Sequence, residues 1–113
     1  MEYSRLDIKF AALADPTRRA ILARLARGEA SVQELCEPFA LSQPAISKHL
    51  KVLEHAGLIE AGQSAQRRPR RLKIEALDDV AEWMNAVHDH WAESFDRLDA
   101  FLKSNTDKGT ETP

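Results

Sequence analysis

Residues 31–53 hold two short amphipathic segments, each with its own start signal, separated by no more than three residues. Ser31 and Glu34 have capping-box spacing: the hydroxyl takes the amide three residues on, and the carboxylate reaches back to the serine amide. This predicts a short helix from Val32 to about Phe39, with Ala40-Leu41 as the turn. Ser42 offers a second N-cap, and Ile46, Leu50 and Leu53 follow at i, i+4 and i+7, the inward stripe of a second helix that Gly57 closes. Two helices joined this tightly make a helix-turn-helix.

The flanking sequence supplies what that pair packs against. Leu6, Phe10 and Leu13 predict a helix over about Ser4–Ala14. Asp15-Pro16 is an N-cap followed by a proline that loses no needed donor, so another helix starts there, with Ile21, Leu22 and Leu25 inward and Gly28 at C′. Leu58–Gln63 and Arg70–Ile74 are too short for helices and read as two strands around the loop Ser64–Pro69. From Leu77 the apolar positions Val80, Met84, Val87, Trp91, Phe95, Leu98 and Leu102 recur at steps of three and four, predicting one long helix to Lys103. Asn105–Pro113 is polar and contains Gly109, so it is expected to be a disordered tail. The expected fold is mainly α, a winged helix-turn-helix of four helices, a two-stranded β wing and a long C-terminal helix, with one domain over 1–104 and a tail over 105–113. A chain of 113 residues fits one such domain.

Composition narrows the function classes. No stretch approaches the roughly 20 apolar residues of a membrane span, and Met1–Lys9 carries four charges and no apolar run, so no secretory signal is expected. Cys36 is the only cysteine, which excludes an intrachain disulfide and suits the cytoplasm. The net charge of −2 hides an asymmetry: residues 42–74 hold seven basic and two acidic residues, whereas 75–113 hold three basic and ten acidic. A basic stripe on an acidic chain fits one surface for an anionic partner, or a solvated basic loop. No nucleophile–base pair, paired carboxylates in an apolar setting or phosphate-cradling glycine loop is present, so no enzyme is expected.

With Ile46, Leu50 and Leu53 inward, the opposite face of their helix presents Ser42, Gln43, Pro44, Ser47, Lys48 and Lys51. Glutamine suits bidentate contact to adenine, serine suits base edges or phosphate, and lysine suits phosphate or guanine. An exposed amphipathic helix without a partner would carry the same residues, but it would not call for the hairpin. Arg67-Arg68-Pro69-Arg70-Arg71 puts four guanidinium groups beside that helix, and arginine both enters narrow minor grooves and bridges phosphates. Strand alternation splits the set, leaving Arg67, Arg68 and Arg70 for DNA and directing Arg71 elsewhere. Charged hairpin tips also serve solubility.

The runs Ala12-Leu13-Ala14-Asp15-Pro16-Thr17-Arg18-Arg19, Leu41-Ser42-Gln43-Pro44-Ala45-Ile46-Ser47-Lys48-His49-Leu50-Lys51-Val52-Leu53 and Ala56-Gly57-Leu58-Ile59 together resemble the ArsR family of winged-helix repressors, in order and spacing over about residues 5–75. The resemblance implies a symmetric dimer, formed by the first and last helices, on an inverted-repeat operator in double-stranded DNA, with DNA contact from Gln43, Pro44, Ser47 and Lys48. The expected dimer interface is Leu6, Phe10, Trp83, Met84, Val87, Trp91, Phe95, Leu98 and Leu102, since a helix this long outruns the core of one small domain.

Metal-sensing relatives are departed from at both of their sites. Glu34-Leu35-Cys36-Glu37-Pro38 keeps one thiolate where the thiol sensors have two, and soft metals need several. Of the zinc pattern in the last helix only His90 and Glu93 have a match, and His88 and His90 diverge around a helix. No metal and no cofactor is therefore expected, which leaves room for an effector that these residues do not identify. Two alternatives stand beside this reading: a metal- or redox-responsive repressor of the same family, and a winged-helix protein-interaction module without DNA binding.

Overall fold

Among the described residues, each of the four short α-helices starts where a side chain takes a backbone N–H. Ser4 accepts from Asp7, Asp15 from Arg18, Ser31 from Glu34 and Ser42 from Ala45. Each such cap contributes about 1 kcal/mol. The helices they start are α1 (Arg5–Leu13), α2 (Pro16–Leu25), α3 (Val32–Phe39) and α4 (Gln43–His55). They are followed by β1 (Ile59–Ala61), β2 (Arg70–Leu72), a 3-10 turn (Ile74–Leu77) and α5 (Asp78–Thr110). The computed structural model describes residues 4–62 and 68–110, the last six of them by backbone alone. The chain divides into two compact units, 1–80 and 81–113.

In the first unit Ile21, Leu25, Leu35, Ile46, Leu50, Leu53, Leu58 and Ile59 are buried together, so the stripes on α2, α3 and α4 share one core. Two arginines close α1. Arg18 donates from Nε to the Ala12 carbonyl (2.7 Å) and from Nη2 to that of Ala11 (3.2 Å), and Arg19 donates to Leu13 (2.7 Å). The Ala12 and Leu13 carbonyls are among those the last turn of a helix leaves open, and that of Ala11 also accepts from the Ala14 amide (3.2 Å), so the arginines that follow Asp15-Pro16 have a local structural use. Lys9 Nζ donates to the Ala76 carbonyl (2.6 Å) and the Asp79 carboxylate (2.9 Å), tying α1 to the chain after β2. The Lys9 ammonium, with further help from the Val80 amide, holds the Asp79 carboxyl below its ordinary range.

The four-helix, two-strand and long-helix order is as expected, and the differences lie at element ends. The strands span three residues each rather than Leu58–Gln63 and Arg70–Ile74. Leu58 belongs instead to the end of α4: its amide bonds to Leu53 O (3.0 Å) and that of Gly57 to Glu54 O (2.9 Å), a Schellman closure with Gly57 at φ +76°. Ile74 enters the 3-10 turn and is exposed. Gly28 lies one residue further out than C′, since α2 is capped at Ala26. α5 runs to Thr110, so 105–110, expected to be disordered, continues the helix; the apolar stripe ends at Leu102, but a polar backbone still completes its i to i−4 bonds. Residues 111–113 lie outside the described residues.

Candidate nucleic-acid interface

The turn between α3 and α4 is built without glycine. Ala40 takes the left-handed conformation (φ 53°), and the Leu41 amide bonds back to Cys36 O (3.2 Å). That conformation costs a non-glycine residue about 1–2 kcal/mol, which the packing of Leu35 and Ile46 on either side of the turn offsets. Pro44, in the first turn of α4, removes no helical hydrogen bond. With Ile46, Leu50 and Leu53 buried, α4 exposes Ser42, Gln43, Pro44, Lys48 and Lys51, with Ser47 half-buried at the edge of that face. The Ser42 oxygen accepts from the Ala45 amide (3.3 Å), so this residue acts first as the cap.

His49, on the flank of α4, lies 3.5 Å from Arg18 and 3.9 Å from Asp15. The Asp15 carboxyl is held below its ordinary range, chiefly by the Arg18 amide at the start of α2. That contact places the α2 N-terminus against the middle of the exposed helix.

Strands β1 and β2 pair antiparallel, with Ile59 opposite Leu72, Glu60 opposite Arg71 and Ala61 opposite Arg70. Ala30, just before α3, forms a bridge on the other edge of β2: Arg70 N to Ala30 O is 2.7 Å and Ala30 N to Arg70 O is 3.1 Å. The wing therefore adjoins the helix pair directly. Its arginines have different fates. Arg67 lies outside the described residues. Arg68 is exposed, at φ 39°. Arg70 is not displayed: its Nε lies 2.5 Å from Glu54 Oε1 on α4, and its side chain is only 16% exposed. Arg71 pairs across the strands with Glu60, whose carboxyl its guanidinium holds below the ordinary range. Among the described residues, Lys48, Lys51 and Arg68 are thus the cations of residues 42–72 that make no ion pair.

Sequence reasoning had no signal for Glu54 or Ala30, because both act on Arg70 through contacts distant in the chain. It did have one for Ser4 and Asp7, a capping box of the same kind as Ser31 and Glu34.

The residues expected at a dimer interface fall into two groups. Leu6 and Phe10 are half-buried on α1, where Phe10 lines an apolar groove of about 670 Å³ with Ile8, Ala11 and Val52. On α5 Trp83, Met84, Val87, Trp91, Phe95, Leu98 and Leu102 are all exposed, Trp91 by 69%, and Phe101 joins them. Cys36 is half-buried and packs on the core. His90 and Glu93 are exposed on α5. Among the described residues no three metal-capable side chains converge, and no helix is long and apolar enough to cross a membrane.

Comparison with known proteins agrees on one kind of relative. The family described as a helix-turn-helix domain matches residues 13–61. An HTH-type transcriptional regulator of Mycobacterium tuberculosis is 46% identical over 75 residues, 66% of this chain and 70% of that protein. The transcriptional repressor SdpR of Bacillus subtilis is 37% identical over 75 residues, 66% of this chain and 83% of its own. Among solved structures, the crystal structure of an ArsR family transcriptional regulator superposes with a TM-score of 0.71 at 38% identity, covering 79% of this chain and 98% of that one. A Mycobacterium bovis structure, described as a homodimeric winged helix-turn-helix DNA-binding domain, does so with 0.62 at 27%, covering 80% and 83%.

Proposed function

Because this chain belongs to the ArsR family of transcriptional regulators, we propose that it is a homodimeric repressor that reads duplex DNA with α4, grips it with the wing, and catalyses nothing. One observation carries the reading: Gln43, Pro44, Lys48 and Lys51 stand exposed on α4 while its other side, Ile46, Leu50 and Leu53, is buried. Gln43 serves as a base reader and Ser47 as a base or phosphate contact, while Lys48, Lys51 and Arg68 neutralise phosphates. α5 joins two subunits so that the two α4 helices reach successive major grooves, about 34–36 Å apart. A regulator of this kind works in the cytoplasm.

The test is selection of duplexes from a random pool by the purified protein. The selected sequences should converge on an inverted repeat with half-sites about one helical turn apart. Gln43→Ala should then relax base choice at one position in each half-site and leave the salt dependence of binding unchanged. A pool that stays random after selection removes the reading.

The same reading makes the repressor indifferent to metal ions. One thiol, half-buried at Cys36, cannot build the multi-thiolate site that soft ions prefer. His90 and Glu93 supply one ligand pair where an interfacial zinc site needs two. Without different affinity for two conformations an ion cannot release DNA. Zinc, cadmium and arsenite at stoichiometric concentration should leave the fluorescence anisotropy of bound operator DNA unchanged. Release of DNA that is lost in Cys36→Ser or His90→Ala overturns this.

A further inference from the structure

We propose that Glu54 is the positioning residue of the wing: through Arg70 it fixes the backbone of the exposed Arg68 relative to α4, a role that rests on the DNA-binding reading above. A carboxylate is out of place on a helix that meets phosphates, because like charges across an interface oppose association. Glu54 nevertheless stands at i+11 from Gln43 and i+7 from Ser47, on the same side of α4.

Its carboxylate is engaged. Glu54 Oε1 accepts from Arg70 Nε at 2.5 Å, with side-chain exposures of 35% and 16%. The same guanidinium donates from Nη1 to the Arg68 carbonyl. The Arg70 backbone is held on both its donor and its acceptor by Ala30. Arg70 is thereby fixed to α4, to the start of α3 and to the wing segment at once.

Arg68 depends on that anchorage. At φ 39° it occupies a region that a non-glycine residue enters only when its surroundings hold it there, at a cost of about 1–3 kcal/mol. The holding bonds are the one from Arg70 to its carbonyl and, at the next residue, Gly62 N to Pro69 O (2.6 Å). A planar guanidinium sets the angle between its two acceptors, so the Glu54 carboxylate and the Arg68 carbonyl are positioned relative to each other. Lysine, with one point charge, would lack this fork.

The experiment turns on the sign of one effect. Were Glu54 only a surface charge, Glu54→Gln would remove repulsion and tighten DNA binding. As a positioning residue, its loss weakens binding about fivefold at about 0.15 M salt and makes the salt slope shallower by about one unit, the worth of the one phosphate contact that Arg68 supplies. Arg70→Lys keeps the total charge and should weaken binding as well, which covers the case that Glu54→Gln misfolds. Arg68→Ala should weaken wild type but add little to Glu54→Gln, since Glu54 acts through Arg68. All variants are measured by anisotropy on one selected duplex, with thermal melts to show that each is folded.

Equal or tighter binding by Glu54→Gln in a wild type that does bind DNA overturns the positioning role alone. Additive losses from Glu54→Gln and Arg68→Ala overturn it too. A wild type that binds no duplex fails the underlying DNA-binding reading instead.

Discussion

Glutamate in place of Phe95 or Leu98 should turn the dimer into monomers and lower operator affinity about a hundredfold or more. Trp83, Met84, Val87, Trp91, Phe95, Leu98, Phe101 and Leu102 are all exposed on α5, and at 100° per residue they fall within about 120° of its circumference. Soluble monomers rarely display so continuous an apolar strip. Covering one such side chain is worth about 1.5–3 kcal/mol, and a carboxylate placed among them reverses the sign of the contact. DNA affinity follows because two linked half-site contacts exceed one by about 10²–10⁴ when the geometry permits both. Sedimentation velocity reads the first effect and anisotropy on the full operator the second. Asn85→Glu puts the same charge on the opposite side of α5 and should leave both unchanged. A Phe95→Glu protein that sediments as a dimer and binds with wild-type affinity would show that the subunits meet elsewhere.

What the sequence disclosed and what it hid divide by range. Caps are local, so Asp15-Pro16, Ser31 with Glu34, and Ser42 announce three helix starts, each within four residues. Periodicity is also local, and it put Ile46, Leu50 and Leu53 inward and left the α5 stripe in need of a second surface. The wing is where local rules stop. Alternation along β2 separates Arg70 from Arg71, but it does not say which side of the hairpin meets a carboxylate. Both do. Glu60 takes Arg71 across the register, and Glu54, sixteen residues before Arg70 in the chain, takes Arg70. The strands came out shorter than their apolar content suggests because Leu58 and Ile74 answer to the helical turns beside them. Polar composition likewise pointed to disorder after Asn105, whereas α5 continues to Thr110.

Lys48→Ala, Lys51→Ala and Arg68→Ala combined should lower affinity for any duplex about a hundredfold at about 0.15 M salt. The seven basic residues of 42–74 overstate the charge that meets DNA. Arg70 and Arg71 are neutralised within the fold by Glu54 and Glu60, whereas Lys48, Lys51 and Arg68 are exposed. Each phosphate that a cation neutralises releases condensed counterions and adds about 0.9 to the slope of log affinity against log salt. At about 0.15 M that slope makes each contact worth roughly fivefold, so three removals multiply to about a hundredfold and flatten the slope by about three units. Substitutions at exposed positions change stability by about 0.5 kcal/mol or less, so the triple variant should melt close to wild type. Arg71→Ala is the control: its charge is already paired, and the slope should move by less than about half a unit. Anisotropy titrations at four salt concentrations, on the selected operator and on an unrelated duplex, measure both slopes. A triple variant that keeps the wild-type slope would mean that α4 and the wing do not carry the phosphate contacts, and that the DNA surface lies elsewhere on the chain.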